Sequence, residues 1–311
     1  MPRYLVTGGA GFIGSHLVEA LLQRSHPVRV LDNLSTGSKN NLAPFLSHIE
    51  FIEGDVRDFT TVERAMRDVH FVLHQAALPS VPRSVQDPLA SNAANVDGTL
   101  NVLWAAKQAG VQRVIYASSS SVYGNVATSP KHEDLTPAPA SPYAVSKLAG
   151  EYYCRVFYHV YGLETVALRY FNVFGPRQDP HSPYAAVIPR FISRLRQGLP
   201  PIIYGDGTQT RDFTFVANVV HANLLACTAP SAAGSVINIA CGDSVTLLHL
   251  AAELNRLMST NLAPIHAPPR PGDVLHSRAD IRRAQILLGY EPVCSFSEGL
   301  ARTVASFVQS S

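Results

Sequence analysis

Cysteine is scarce in this chain, and the four present, Cys154, Cys227, Cys241 and Cys294, stand far apart with no CxxC pair. Neither a zinc site nor a disulfide framework is suggested, and a reducing, cytoplasmic setting is expected. The one short-range histidine pair, His70 and His74 in HFVLH, falls on a strand-like run. Residues four apart on a strand lie about 13 Å from each other and cannot share a metal. No apolar run approaches the roughly 18 residues needed to cross a bilayer. The first strand-like run, RYLVTG, begins at residue 3, which leaves no room for a secretion signal. Charge of one sign is lacking too: 25 Lys and Arg against 23 Asp and Glu leave a net +2. With no basic stripe, a nucleic-acid partner is not expected. Internal repeats, heptads and low-complexity tracts are all absent.

What is present is apolar residue in quantity, 46% of 311 positions, enough for one large α/β unit or two domains. Short β-rich runs alternate with helical patterns: YLVTG, VRVLD, HIEFIEG, VHFVLHQ, RVIYASS and TVALRY. Such alternation predicts an α/β fold, a doubly wound parallel sheet of Rossmann type. A late strand, SVINIA at 235–240, follows the helical stretch VANVVHANLLACTA, so residues 213–241 are expected to return to that sheet. Residues 1–172 are read as the sheet domain. Residues 173–311, richer in proline and broken by APPRPGD at 267–273, are read as a second, smaller domain. The stretch from Pro130 to Pro142 reads as an irregular loop.

Gly8, Gly11 and Gly14 lie in TGGAGFIGSHLVEALL, after a strand run and at the start of an amphipathic helix. Glycines there let the backbone turn tightly and approach a pyrophosphate, which the free amides of the helix stabilise. Asp32 ends the next strand run, where a carboxylate accepts hydrogen bonds from an adenosine ribose and repels a 2′-phosphate. With asparagine at position 33, NAD is preferred over NADP; Lys39 in the same loop is a counter-signal. Asp55, in EGDVRD, is placed either to meet the adenine or to cap a helix.

RVIYASSSSVYG reads as a buried strand ending in hydroxyls, which puts Ser119 at the carboxyl edge of the sheet, where open α/β folds bind ligands. Twenty-four residues on, Tyr143 and Lys147 stand four apart in SPYAVSKLAGEYY. On a helix that spacing puts phenol and ammonium on one face. A free phenol has a pKa of about 10. Lys147 and the positive ring of an oxidised nicotinamide are both expected to pull it down, making Tyr143 a general base.

These motifs, together with HQAALPSVPRSVQDP, RYFNVFGPRQDP and DVLHSRAD, resemble the extended short-chain dehydrogenase/reductases and, within them, the UDP-hexose 4-epimerases. The likeness is strongest to the branch that handles UDP-N-acetylhexosamines and their uronic acids, and it runs from Tyr4 to about Gly289. It implies NAD as cofactor, held by Gly8, Gly11, Phe12, Ile13, Gly14, Asp32, Asn33, Asp55, Val56, Gln75, Ala76, Asn95, Tyr143, Lys147 and Tyr170. It implies Ser119, Tyr143 and Lys147 as the catalytic residues. On the substrate side it implies Ser80, Ser119, Ser120, Asn172, Gln178, Ala186, Val187, Tyr204, Arg211, Arg270, Asp273 and Ser277, with the arginines on the diphosphate. Without the resemblance, Arg211 and Arg270 read as surface charges.

Relatives that eliminate or decarboxylate are similar to one another in carrying an acid after the hydroxyl-rich strand end. Ser119, Ser120, Ser121, Val122 and Tyr123 include none, so the expected reaction only returns the hydride, through a transient 4-keto sugar. Ser277 stands where epimerases confined to UDP-glucose resemble one another in a bulky tyrosine, and Ala186 replaces their asparagine. The implied substrate is therefore UDP-N-acetylglucosamine, with UDP-glucose also accepted. Pro79, where the branch resembles a flexible glycine, stiffens the loop beside the sugar. Arg83 and Arg177 keep uronic-acid substrates open. A homodimer is implied, through the helices near Val96–Ala109 and Tyr143–Tyr161, although Leu100, Leu103, Trp104 and Tyr153 read equally as core. A non-catalytic NAD-binding sensor would have no need of Ser119, Tyr143 and Lys147 together.

Overall fold

The first strands show no polar–apolar alternation because both of their faces are covered: YLVT and VRVLD are buried at every position. The computed structural model describes residues 1–179, 186–269 and 275–309. In chain order the first half runs β1 (Tyr4–Thr7), α1 (Phe12–Leu22), β2 (Val28–Asp32), β3 (Ile49–Glu53), α2 (Phe59–Ala65) and β4 (Phe71–His74). Then come α3 (Val81–Gln86), α4 (Pro88–Asn92), α5 (Gly98–Gln108), β5 (Arg113–Ser119), α6 (Pro142–Tyr161) and β6 (Glu164–Tyr170). The β2–β3 crossover is a 3₁₀ segment, Lys39–His48, and a π-helical turn at Ala93–Asp97 leads into α5.

The second half runs β7 (Val173–Phe174), α7 (Val187–Arg196), β8 (Ile202–Tyr204), β9 (Thr210–Arg211), β10 (Thr214–Phe215), α8 (Val216–Thr228) and β11 (Val236–Ile239). It ends with β12 (Val245–Thr246), α9 (Leu247–Leu257), β13 (Ile265–Ala267), β14 (His276–Ser277), α10 (Arg282–Leu288) and α11 (Phe296–Gln309).

Seven strands form one parallel sheet in the order β11-β6-β5-β4-β1-β2-β3. The doubly wound Rossmann sheet expected from the alternating runs is present. The late strand of SVINIA pairs with β6, Ile239 opposite Tyr170. The order in which strands are added reverses at β1, which has β2 on one side and β4 on the other, both parallel to it, and a crevice opens there at the carboxyl ends of the strands. One apolar layer, including Leu17, Val18, Leu21, Val219 and Ala222, covers one face. The other face carries Val62, Met66, Val102, Leu103 and Phe157.

α6 is a 20-residue helix with clear start and stop signals. Ser141 caps it by accepting from the Ala144 amide at 3.1 Å, Pro142 occupies its first turn, and Gly162 ends it at φ 68°. Its first two turns therefore present Tyr143 and Lys147 at the end of β5. A third cluster surrounds α7, whose sequence VIPRFISRLR buries Ile188, Phe191, Ile192 and Leu195 in it, with Arg190 and Arg194 half-buried and Arg196 exposed. Each such burial is worth roughly 1.5–3 kcal/mol. Around it lie three short sheets: β10–β7, β12–β9–β14 and β13–β8. Phe12 and Ile13, at the start of α1, pack against this cluster.

Candidate active site

At the β1–β4 crevice, the turn after β1 approaches the turn after β4 so closely that a side chain would not fit. Gly8 has φ 68°, and a Cβ on it would stand 2.7 Å from the Ala76 amide nitrogen. A Cβ on Gly14 would collide with the Gly8 carbonyl oxygen. α1 begins after Gly11 with no side-chain cap and no acidic residue in its first turn. The amides of Phe12 and Ile13 therefore face the crevice uncompensated, a cradle that fits the pyrophosphate of a dinucleotide.

Asp32 ends β2 beside this cradle. It is buried, accepting from the Ala10 amide at 2.9 Å and the Leu34 amide at 2.8 Å. Burial pushes its carboxyl up, against the two amide bonds that pull it down. Asn33 donates to Asp55 at 2.7 Å, and Arg57 clamps the same carboxylate through two nitrogens. The Arg57 bonds hold Asp55 down to about 2. Asp58, not Asp55, caps α2, so of the two roles open to Asp55 the helix cap is excluded. Val56 is buried next to it. Lys39, the counter-signal for NADP, donates to Glu53 at 2.8 Å and lies over the Phe51 ring.

Across the crevice, β5 and α6 bring Ser119, Tyr143 and Lys147 together. Lys147 is buried and donates to the Ala117 carbonyl at 2.8 Å, with its ammonium 6.0 Å from the centre of the Tyr143 ring. Ser119 bonds to Tyr143 through its side chain and accepts from the Ser121 amide and hydroxyl. Ser120 opens the 3₁₀ turn that follows. The expected downward pull of Lys147 on the phenol is not what the chain alone displays. Burial raises Tyr143, the Ser119 bond only opposes it, and burial takes Lys147 itself down to about 8. Desolvation outweighs the attraction because both groups lie in the same dry layer.

Neighbouring residues brace this cluster. Asn95, on the π turn, spends its amide on the Leu78 backbone and on Ser146, and so joins the loop after β4 to α6. Gln75 donates to the Tyr170 hydroxyl at 3.1 Å, and Asn223 donates to the same oxygen at 2.8 Å. Ser80 caps α3, and Ser84 in that helix accepts from the Tyr143 amide at 3.0 Å. His74, weighed in the sequence only as a metal partner of His70, is buried between Thr7 and Thr99. Burial holds it down to about 3, hence neutral, beside Lys147. Glu151, one turn beyond Lys147, was also missed: it binds Ser118 and receives two bonds from Arg169, at 2.8 and 2.7 Å.

A cavity of about 280 Å³ opens where the second half of the chain meets the sheet edge. Five expected substrate residues line it: Asn172, Ala186, Val187, Tyr204 and Arg211. Arg190, Gln209 and Phe213 line it as well and carried no signal in the sequence. The Arg190 guanidinium lies over the Tyr204 ring, 5.8 Å from its centre. Ser277 is a register partner of Arg211 and accepts from the Asn172 amide at 3.3 Å. Gln178 donates to the Val173 carbonyl at 3.4 Å. Arg270 and Asp273 lie outside the described residues. Arg177 is held by Glu19 and stacks on Phe45, so it is a brace for α1 rather than a carboxylate receptor.

Known proteins are similar to this chain over nearly its whole length. The chain is 40% identical over 309 residues to the UDP-glucose 4-epimerase of Mycolicibacterium smegmatis, covering 98% of each. Among solved structures it is similar to the UDP-N-acetylglucosamine 4-epimerase from Methanobrevibacter ruminantium M1 in complex with UDP-N-acetylmuramic acid. That likeness has a TM-score of 0.95 and 42% identity over 100% of this chain and 99% of that one. It is similar also to the UDP-glucuronic acid 4-epimerase from Bacillus cereus in complex with UDP-glucuronic acid and NAD, with a TM-score of 0.92 and 34% identity over 99% and 100%. Residues 4–240 match the NAD dependent epimerase/dehydratase family, and this chain belongs to it.

Proposed function

We propose that the chain is an NAD-dependent UDP-sugar 4-epimerase that interconverts UDP-N-acetylglucosamine and UDP-N-acetylgalactosamine, and UDP-glucose and UDP-galactose as well. The observation that carries this is a pairing. Ser119, Tyr143 and Lys147 meet at the end of β5, and the Asn172–Ser277–Arg211 group stands at the neighbouring cavity.

NAD, held by the cradle at Gly8, Gly11 and Gly14 and by Asp32, would supply the reversible acceptor for the C4 hydride of the sugar. Tyr143 removes the C4 hydroxyl proton, with Ser119 donating to the same oxygen, and gives the proton back in the reverse step. Burial raises the Tyr143 phenol; the positive ring of bound NAD, beside the Lys147 ammonium, would oppose that rise and favour the phenolate. Inversion needs the 4-keto sugar to present its other face. The nucleotide is accordingly gripped firmly, by Arg211 on the diphosphate and by Tyr204 and Arg190 around the base, while the hexose is held loosely enough to rotate. No acid follows Ser119 to drive elimination.

The small Ser277 side chain, beside Asn172, supports room for a 2-acetamido group. A second reading, a UDP-uronic acid as substrate, is favoured by Arg83. Its guanidinium makes no ion pair among the described residues, and it sits in the helix whose Ser84 holds the Tyr143 amide. We further propose a homodimer, packed through the face of α6 that carries Val145, Tyr152, Val156 and Val160, all 46–67% exposed.

The test is to incubate the purified protein, with no NAD added, with UDP-N-acetylglucosamine, UDP-glucose, UDP-glucuronic acid and UDP-N-acetylglucosaminuronic acid in turn. The 4-epimer of the first two is expected. Its absence with every sugar would overturn the epimerase assignment, and product from the acids alone would favour the second reading.

A further inference from the structure

Asp212 is 1% exposed, yet among the described residues no lysine or arginine pairs with it. Its carboxylate is met by backbone alone: Oδ1 accepts from the Cys241 amide at 3.0 Å, and Oδ2 from the amides of Gly242 and Ala279, each at 3.1 Å. Cys241 and Gly242 belong to the turn between β11 and β12, and Ala279 follows β14. Of these strands, β12 and β14 flank β9 on either side. Gln209, Arg211 and Phe213 line the cavity, so the alternating direction of an extended chain turns Asp212 to the opposite side. Its own carbonyl accepts from Asn172 Nδ2 at 3.2 Å, the same amide that reaches Ser277.

We propose that Asp212 is a positioning residue for the nucleotide, knotting β9 to both of its neighbours so that Arg211, Asn172 and Ser277 are held as one clamp. The proposal rests on the UDP-sugar reading of the cavity. A carboxylate suits the task because it offers lone pairs to all three donors; an amide side chain would set its own N–H groups against one of them. Losing acceptors for buried backbone donors is costly, and here the cost falls on the alignment of the clamp.

The charged and titratable groups around the knot are Asp243 on the same turn, Cys241, Tyr290 and Arg278, which donates to the Gly242 carbonyl at 2.9 Å. Burial pushes the Asp212 carboxyl up to about 6, with Asp243 acting the same way and the three amides opposing. Below that pH the carboxyl is neutral and accepts less well, so the grip on nucleotide weakens as pH falls.

The test uses the NAD-loaded protein titrated calorimetrically with UDP-N-acetylglucosamine, whose diphosphate diester does not titrate between about pH 5 and 8. Asp212→Asn is expected to bind at least ~5-fold more weakly at about pH 8 with its NAD content unchanged. The unmodified protein is expected to lose affinity as pH falls through about 6, Asp243→Asn to lose it in the same way, and Asp212→Asn to be flat. A pH-flat unmodified protein overturns the proposal even where Asp212→Asn fails to fold. Equal affinities in the two proteins overturn it alone, whereas no binding by the unmodified protein overturns the UDP-sugar reading with it.

Discussion

Lys147 donates its Nζ to the Ala117 carbonyl oxygen at 2.8 Å, and that bond fixes the ammonium two residues from Ser119 and one helical turn from Tyr143. The ordinary lysine value of 10.5 falls to about 8 through burial. Because the folded value lies below the unfolded one, the fold favours the neutral amine, and the ammonium is lost as pH rises through about 8. In the NAD-loaded protein kcat/KM is expected to drop on that alkaline side. Lys147→Arg, whose guanidinium does not titrate there, should lose the alkaline limb whatever its plateau; the same limb in the arginine variant would assign it to another group.

Tyr143→Phe removes the one hydroxyl that Ser119 meets in α6. A fall in kcat of at least ~10² is expected for a positioned acid–base group, with the fold and bound NAD retained. Turnover close to that of the unmodified enzyme would exclude Tyr143 as the base.

Ser277 is nearly buried beside Asn172, so enlarging it projects atoms toward the sugar side of the Arg211 clamp. Ser277→Tyr is expected to reduce turnover of UDP-N-acetylglucosamine much more than that of UDP-glucose. Equal losses on the two substrates would remove Ser277 as the determinant of pocket size.

The Glu151–Arg169 pair, both side chains 4% exposed, ties α6 to β6 behind the catalytic cluster. Glu151→Leu leaves the guanidinium charged and buried, and about 3–5 kcal/mol of stability should be lost in denaturant unfolding. Adding Arg169→Met should recover much of it, since the stranded charge is gone. A single variant as stable as the unmodified protein would mean that the pair contributes nothing to folding.

Val156 and Val160 stand one turn apart on the outer face of α6, 46% and 67% exposed. Val156→Asp is expected to convert a dimer to monomers in sedimentation. Monomers in the unmodified protein would end the assignment of that face to a second copy.

The sequence made the sheet legible because its strands are continuous apolar runs ending in short polar signatures, as at Asp32 and Ser119. The cradle was legible too, since Gly8 and Gly14 answer to close backbone approach. Less could be read where a side chain finds its partner far along the chain. Arg177 reads as available in the sequence because its partner, Glu19, lies 158 residues away. The three amides on Asp212 come from positions 241, 242 and 279, which no local pattern ties to residue 212. The direction of the Tyr143 shift was missed for a related reason: an i,i+4 spacing reports proximity of charge but says nothing of how dry the layer is.

β11 has a consequence for any attempt to dissect the protein. It shields the outer side of β6 from Ala167 to Tyr170, yet it is made some sixty residues later in the chain. A fragment ending near Asn172 would leave that rim bare and prone to recruit strands from other molecules. Genetic truncation at the apparent border should give aggregates rather than a free-standing cofactor module.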